Sequence, residues 1–169
     1  MNSRARSLTI AGFIGVLAAL VGIPIAAADD SRQAAAAADV PPVAVERFEY
    51  PGAAGILASD GIELKKGDGH IVLVTCDGSA DQIRVYTVAD STANRRGDYC
   101  FKTTAASGYL TLALPRVFAL ETGEHPISAD LTADGATTTV DVAEGGFKAV
   151  GEGTVGGARS VLVEIRVTG

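Results

Sequence analysis

Acid–base chemistry near neutral pH most often calls on histidine, and this chain has two, His70 and His125. His70 follows Gly67-Asp68-Gly69, so Asp68 stands two residues from a ring that it could orient as the partner of a general base. A secreted hydrolase using His70 with Asp68 or another carboxylate is one reading of that pair. The plainer reading is a turn residue at the start of a strand, because no Gly-x-Ser-x-Gly elbow supplies a nucleophile. His125 precedes Pro126 in a loop and has still less to mark it as catalytic.

Metal and cofactor signals are weak. The chain has no His-Glu-x-x-His and no Cys-x-x-Cys. Asp68, Asp77, Asp81, Asp90 and Asp98 all fall in turn-like stretches and could offer oxygen to calcium, but no Asp-x-Asp-x-Asp-Gly loop with a distal Glu organises them. They read as a solvated rim, and neither a metal nor a cofactor is assigned. Gly151, Gly153, Gly156 and Gly157 lack the Lys-[Ser/Thr] and following helix of a phosphate cradle, so they read as a loop between strands. Arg96-Gly97-Asp98 matches a short adhesion tripeptide and equally makes an ordinary turn.

A glycan site usually needs exposed aromatic rings, whose faces pack on the apolar faces of sugars. The chain has no Trp; its rings are Phe48, Tyr50, Tyr86, Tyr99, Phe101, Tyr109, Phe118 and Phe147, with Phe13 near the start. Tyr86 and Tyr109 alternate with apolar strand positions and are the two expected to face outward.

These residues need elements to hold them, and the pattern along the chain is period two. Leu110, Leu112 and Leu114 alternate with Tyr109, Thr111 and Ala113, and Ile127, Ala129 and Leu131 with Ser128, Asp130 and Thr132. Thr138, Val140 and Val142 repeat the pattern, and at the C-terminus Val161, Val163, Ile165 and Val167 are expected to point inward against an outer Ser160, Leu162, Glu164 and Arg166. Ile71–Cys76 and Ile83–Val88 are β-branched runs of strand length. Val43–Tyr50, Tyr99–Thr103 and Val117–Leu120 are weaker candidates. Asp134-Gly135 is a hairpin turn signal, and Gly67-Asp68-Gly69 looks like a second one, joining 62–66 to 70–76. One short helix is predicted over Ala53–Ser59, with Gly61 in the left-handed position past its end. Together these predict an all-β fold, an antiparallel β-sandwich or jelly roll of eight or nine strands with at most one short helix.

Residues 1–28 have the secretory pattern: Arg4 and Arg6, an apolar run from Ile10 to Ile25, then Ala26-Ala27-Ala28 before Asp29-Asp30. Cleavage there would leave no membrane anchor. Residues 29–45 form an Ala/Pro-rich linker, with five alanines from Ala34 to Ala38 and then Pro41-Pro42, and residues 46–169 form one domain. Beyond the signal, 12 basic side chains face 20 acidic ones, which argues against nucleic acid or an anionic membrane surface as partner. In an oxidising compartment the two cysteines, Cys76 and Cys100, are expected to form a disulfide.

Gly61–His70, Tyr99-Cys100-Phe101, Gly108–Leu112 and the ending Ser160–Gly169 resemble small secreted proteins of actinomycetes. That resemblance implies export and a β-rich domain and carries no functional residue across. The leading expectation is therefore a non-catalytic extracellular module that binds a protein, an envelope component or a glycan through loops at one end of the sandwich. The alternatives are the His70 hydrolase and a secreted protease inhibitor, whose reactive loop would be Asp90–Asp98 beside the disulfide.

Overall fold

β-Branched and aromatic residues alternating with polar ones give strands that bury one face, and two such sheets cover each other. The computed structural model describes residues 48–169. The signal peptide expected at 1–28 and the linker expected at 29–45 lie outside the described residues. The strands are β1 (Phe48–Glu49), β2 (Glu63–Gly67), β3 (Ile71–Val74), β4 (Gln82–Thr87), β5 (Asp98–Thr103), β6 (Gly108–Pro115), β7 (Val117–Thr122), β8 (Ile127–Ala133), β9 (Ala136–Val142), β10 (Phe147–Ala149) and β11 (Val161–Val167). They form a six-stranded sheet, β1-β2-β6-β11-β8-β9, and a five-stranded sheet, β10-β7-β4-β5-β3, with every neighbouring pair antiparallel. The protein is a two-sheet β-sandwich. The three-residue β10 has no counterpart among the expected strands, and β1 is only the end of the expected Val43–Tyr50.

The core lies between the sheets. Leu110, Leu112 and Leu114 of β6 and Ile127, Ala129 and Leu131 of β8 all point into it, as their alternation predicts. From the other sheet, Ile83, Val85, Tyr99, Phe101 and Leu120 meet them. β11 departs from its expected phase. Leu162 is fully buried and Ser160 nearly so, while Val163 is partly exposed. The cause is a β-bulge: the register shifts between Leu162 and Glu164 against both β6 and β8. An irregularity in pairing reverses which residues face inward, so Ile165 and Val167 are buried as expected but Leu162 replaces Val163.

Two of the three turn and helix expectations hold. Asp134 and Gly135 have φ of 51° and 79°, the two successive positive values of a tight primed turn, and Ala133 pairs with Ala136 across it. The helix α1 (Ala53–Asp60) ends at Gly61, which has φ 65° and donates its N–H to Leu57 O at 3.1 Å. Gly67-Asp68-Gly69, by contrast, is not a hairpin. β2 belongs to the six-stranded sheet and β3 to the five-stranded one, so the turn carries the chain between sheets.

Cys76 and Cys100 are joined, with Cα atoms 5.1 Å apart. The topology explains the value of that bond. β3 and β4 both pair antiparallel with β5, so they run parallel to each other on either side of it. The chain after β3 must return across β5 to start β4, and it does so in the short segment 75–81. The disulfide pins this crossing to the middle strand, and Cys100 is buried beneath it.

Candidate functional site on the five-stranded sheet

The conspicuous residues are occupied with structure. Asp68 accepts the backbone N–H of His70 at 3.1 Å and of Tyr109 at 3.2 Å, tying the inter-sheet turn to the start of β6. The His70 ring is about half exposed, and its Nδ1 lies 3.1 Å from Ser107 O and 3.5 Å from Asp68 Oδ2. His70 and Asp68 are thus brought together, but the ring's hydrogen-bond partner is a carbonyl, not a hydroxyl nucleophile. His125 places its Nδ1 2.8 Å from Gly169 O near the chain end. A cleft of about 550 Å³ lies beside this turn, walled by Tyr50, Ile56, Asp68, Ile71 and Val72. His70 is not among its lining residues. Little polar chemistry converges on this cleft.

The turn aspartates are likewise engaged. Asp77 accepts the Ser79 N–H at 2.8 Å, and the Ser79 side chain, then that N–H, hold its carboxyl below the usual range. Asp81 pairs with Lys102 at 2.8 Å, and Asp90 caps a short turn by accepting from the N–H and hydroxyl of Thr92. Among the described residues no three His, Cys, Asp or Glu side chains group to hold a metal ion.

The tripeptide and the loop around it are also internally committed. The Arg96 guanidinium sits 4.7 Å from the Tyr99 ring centroid and 3.5 Å from Asp60, while Asp98 begins β5 and binds Arg84. Asp90 and Arg95 exchange backbone hydrogen bonds at 2.9 Å, and Asn94 donates to Ala58 O of α1 at 2.9 Å. Asp90–Asp98 is therefore a closed turn docked on the end of the helix, not a protruding extended loop.

A different cluster lies on the outer face of the five-stranded sheet. In β4, Ile83, Val85 and Thr87 point inward, so Arg84 and Tyr86 point outward. Tyr86 lies opposite Ala119, whose small side chain is buried and leaves room for a ring above it. Between Tyr86 and Thr87 the β4–β7 register slips by one residue, and Phe118 is the extra one. A bulge re-aims a side chain, and here the Phe118 ring centroid stands 6.1 Å from that of Tyr86. Phe147 of the edge strand β10 completes the set at 6.0 Å from Tyr86, and it is 64% exposed. Three rings from three strands thus gather on the outer face of this sheet.

Polar groups border the rings. The Arg84 guanidinium stands 5.1 Å from the Tyr86 ring centroid and donates to Asp98 from Nε at 2.9 Å and Nη2 at 2.5 Å. The Tyr86 hydroxyl donates to Glu121 at 2.5 Å. That bond favours the neutral phenol and, with burial, pushes the Tyr86 pKa up, whereas Asp98 pushes the Arg84 pKa up. A small notch of about 170 Å³ adjoins these groups, between the disulfide-pinned crossing and β4, with Ser79, Gln82, Arg84, Glu121 and Thr122 in its walls. The rings and the notch share a border at Arg84 and Glu121.

Tyr86 and Tyr109 both occupy outer faces, as expected, but each is partly buried and they lie on different sheets: Tyr109 pairs with Arg166 across the six-stranded sheet. Phe118 and Phe147 escape sequence reasoning. Phe118 reaches the cluster through the bulge, and Phe147 lies in a three-residue strand with no alternation to read. No family model matches the chain, and no curated protein matches it in sequence.

Proposed function

We propose that the protein is exported and acts as a non-catalytic extracellular module that binds a glycan through the outer face of its five-stranded sheet. The observation that carries this reading is the gathering of Tyr86, Phe118 and Phe147 beside Arg84 and Glu121. A sugar presents an apolar face and a rim of hydroxyls. Aromatic rings stack on the first, and charged hydrogen-bonding groups held in place by neighbours serve the second. The basic start and apolar run of residues 1–28 support export, and the disulfide fits an oxidising compartment. The ligand surface is then a sheet face, in place of the loops at one end of the sandwich.

The test is affinity electrophoresis through gels containing soluble polysaccharides, with pelleting on washed cell envelopes beside it. The parent should be retarded by at least one glycan. Phe147→Ala and Tyr86→Ala should each weaken retention about tenfold, as expected if a stacked ring contributes about 1.4 kcal/mol. His70→Ala should bind as the parent does. Retention lost with His70→Ala but kept with Phe147→Ala would overturn the assignment, and so would a parent that no glycan or envelope retains.

A further inference from the structure

A sheet edge exposes a row of unpaired N–H and C=O groups, and proteins protect such edges unless they use them. Three of the four sheet edges among the described residues are short or covered. β1 has two residues and leads into α1, and β10 has three, one of them Lys148. β3 has four, and the hydroxyl of Tyr50 accepts its Leu73 N–H at 2.8 Å. The fourth, β9, runs seven residues from Ala136 to Val142 with no Pro, no Lys and no register break against β8. It is exposed along most of its length.

The hairpin register identifies which groups are open. The Asp134-Gly135 turn makes Ala133↔Ala136 a hydrogen-bonded pair, and such pairs then alternate. Thr138, Val140 and Val142 therefore bond to β8, whereas Thr137, Thr139 and Asp141 direct their backbone groups to the open edge. The side chains agree with this assignment. Thr137 meets Thr132 at 2.9 Å and Thr139 meets Asp130 at 2.6 Å, the close approach of non-hydrogen-bonded pairs.

We infer that β9 is a homodimer interface, pairing antiparallel with β9 of a second copy about a two-fold axis at Thr139. That register sets Thr139 against Thr139 and Thr137 against Asp141 on both sides of the axis. Each of these opposed pairs exchanges both backbone hydrogen bonds, more than a shift of two residues either way allows. It is also complementary in charge, since the strand's one acid, Asp141, faces a hydroxyl and not its own copy. The two six-stranded sheets then join into one. Directly opposed residues share a face, so both aromatic clusters point the same way.

Sedimentation of the purified full chain over a concentration series tests this. The parent should reach twice the monomer mass. Thr137→Asp, which sets two acids face to face twice over, should raise the dimer dissociation constant at least tenfold. Thr137→Lys should hold the dimer or tighten it, through an ion pair with Asp141. In the dimer, hydrogen exchange should slow at the amides of Thr137, Thr139 and Asp141, while thermal melts of the dissociated variants report an intact fold. A parent that stays monomeric throughout would overturn the inference. So would Thr137→Asp and Thr137→Lys shifting the equilibrium in the same direction.

Discussion

On the outer face of the six-stranded sheet, Arg166 reaches Asp130 through two 3.0 Å hydrogen bonds and also binds Glu164, while Thr139 donates to the same Asp130. Thr132 and Thr137 bond to each other beside them. On the outer face of the five-stranded sheet, the corresponding positions hold Tyr86, Phe118 and Phe147, and the ion pair of Arg84 with Asp98 borders them. Both faces follow from the same alternation, but they use it differently. The first pairs its polar groups with one another over a scaffold facing water. The second gathers apolar rings, two partly buried and Phe147 exposed. The second face also carries the pinned crossing, which shields its β3–β5 half and leaves the half from β4 to β10 open. Three experiments test this contrast.

The largest effect should come from the crossing. Replacing Cys76 and Cys100 by Ser together releases a loop whose ends are 24 residues apart in sequence. The chain-entropy view gives a loss of roughly 3–4 kcal/mol, read as the shift in denaturant midpoint. The release should also loosen the notch wall at Ser79 and Gln82, so glycan retention should weaken in the folded variant. A variant as stable as the parent would show that the seven-residue crossing is held by its hydrogen bonds alone, such as Gln82 to Thr75 O.

Next comes an exchange of roles between two arginines. Arg84→Ala should weaken glycan retention by about 1 kcal/mol, the worth of one charge-assisted contact, and change stability less. Arg166→Ala should do the reverse: binding unchanged, stability lower by up to about 1 kcal/mol because Asp130 and Glu164 lose their shared partner. Finding the same pattern for both would erase the distinction between a scaffold face and a ligand face.

The two faces also differ in how legible they are in the sequence. β6 and β8, which supply much of the core from one side, show unbroken alternation, and their inward residues are read correctly from it. β11 is misread, because a bulge is a property of pairing with neighbours and leaves no mark in the strand's own sequence. The inter-sheet turn at Gly67-Asp68-Gly69 has a hairpin's composition, and only the topology separates the two outcomes. The aromatic cluster is the extreme case. Tyr86, Phe118 and Phe147 follow one another along the chain at intervals of about thirty residues, and their meeting depends on a strand order and a bulge that no local pattern encodes. His70 and Asp68 draw attention in the sequence through rarity and spacing, and in the fold their contacts serve the turn.

The smallest expected effect is an acid response of the scaffold face. The Thr139 hydroxyl, and then the Arg166 guanidinium, hold the Asp130 carboxyl below the ordinary aspartate range, although partial burial pulls the other way. A carboxyl whose pKa is lower in the folded state binds fewer protons there than in the unfolded chain. Its stabilising contribution is therefore complete above the unfolded aspartate value of about 4 and is lost as pH falls through the lowered folded value. Denaturant midpoints measured from neutral pH down through this window should fall for the parent and fall less for Asp130→Asn, which has no proton to gain. Some fall must persist in the variant, because Asp77, Asp90 and Glu152 are held low by partners of their own. Glycan retention by folded protein should be insensitive to Asp130→Asn at every pH, since the residue lies on the opposite face from Tyr86. Identical acid slopes for parent and variant would show that Arg166 and Thr139 do not act through the charge of Asp130, and the scaffold face would then owe its stability to its backbone ladder.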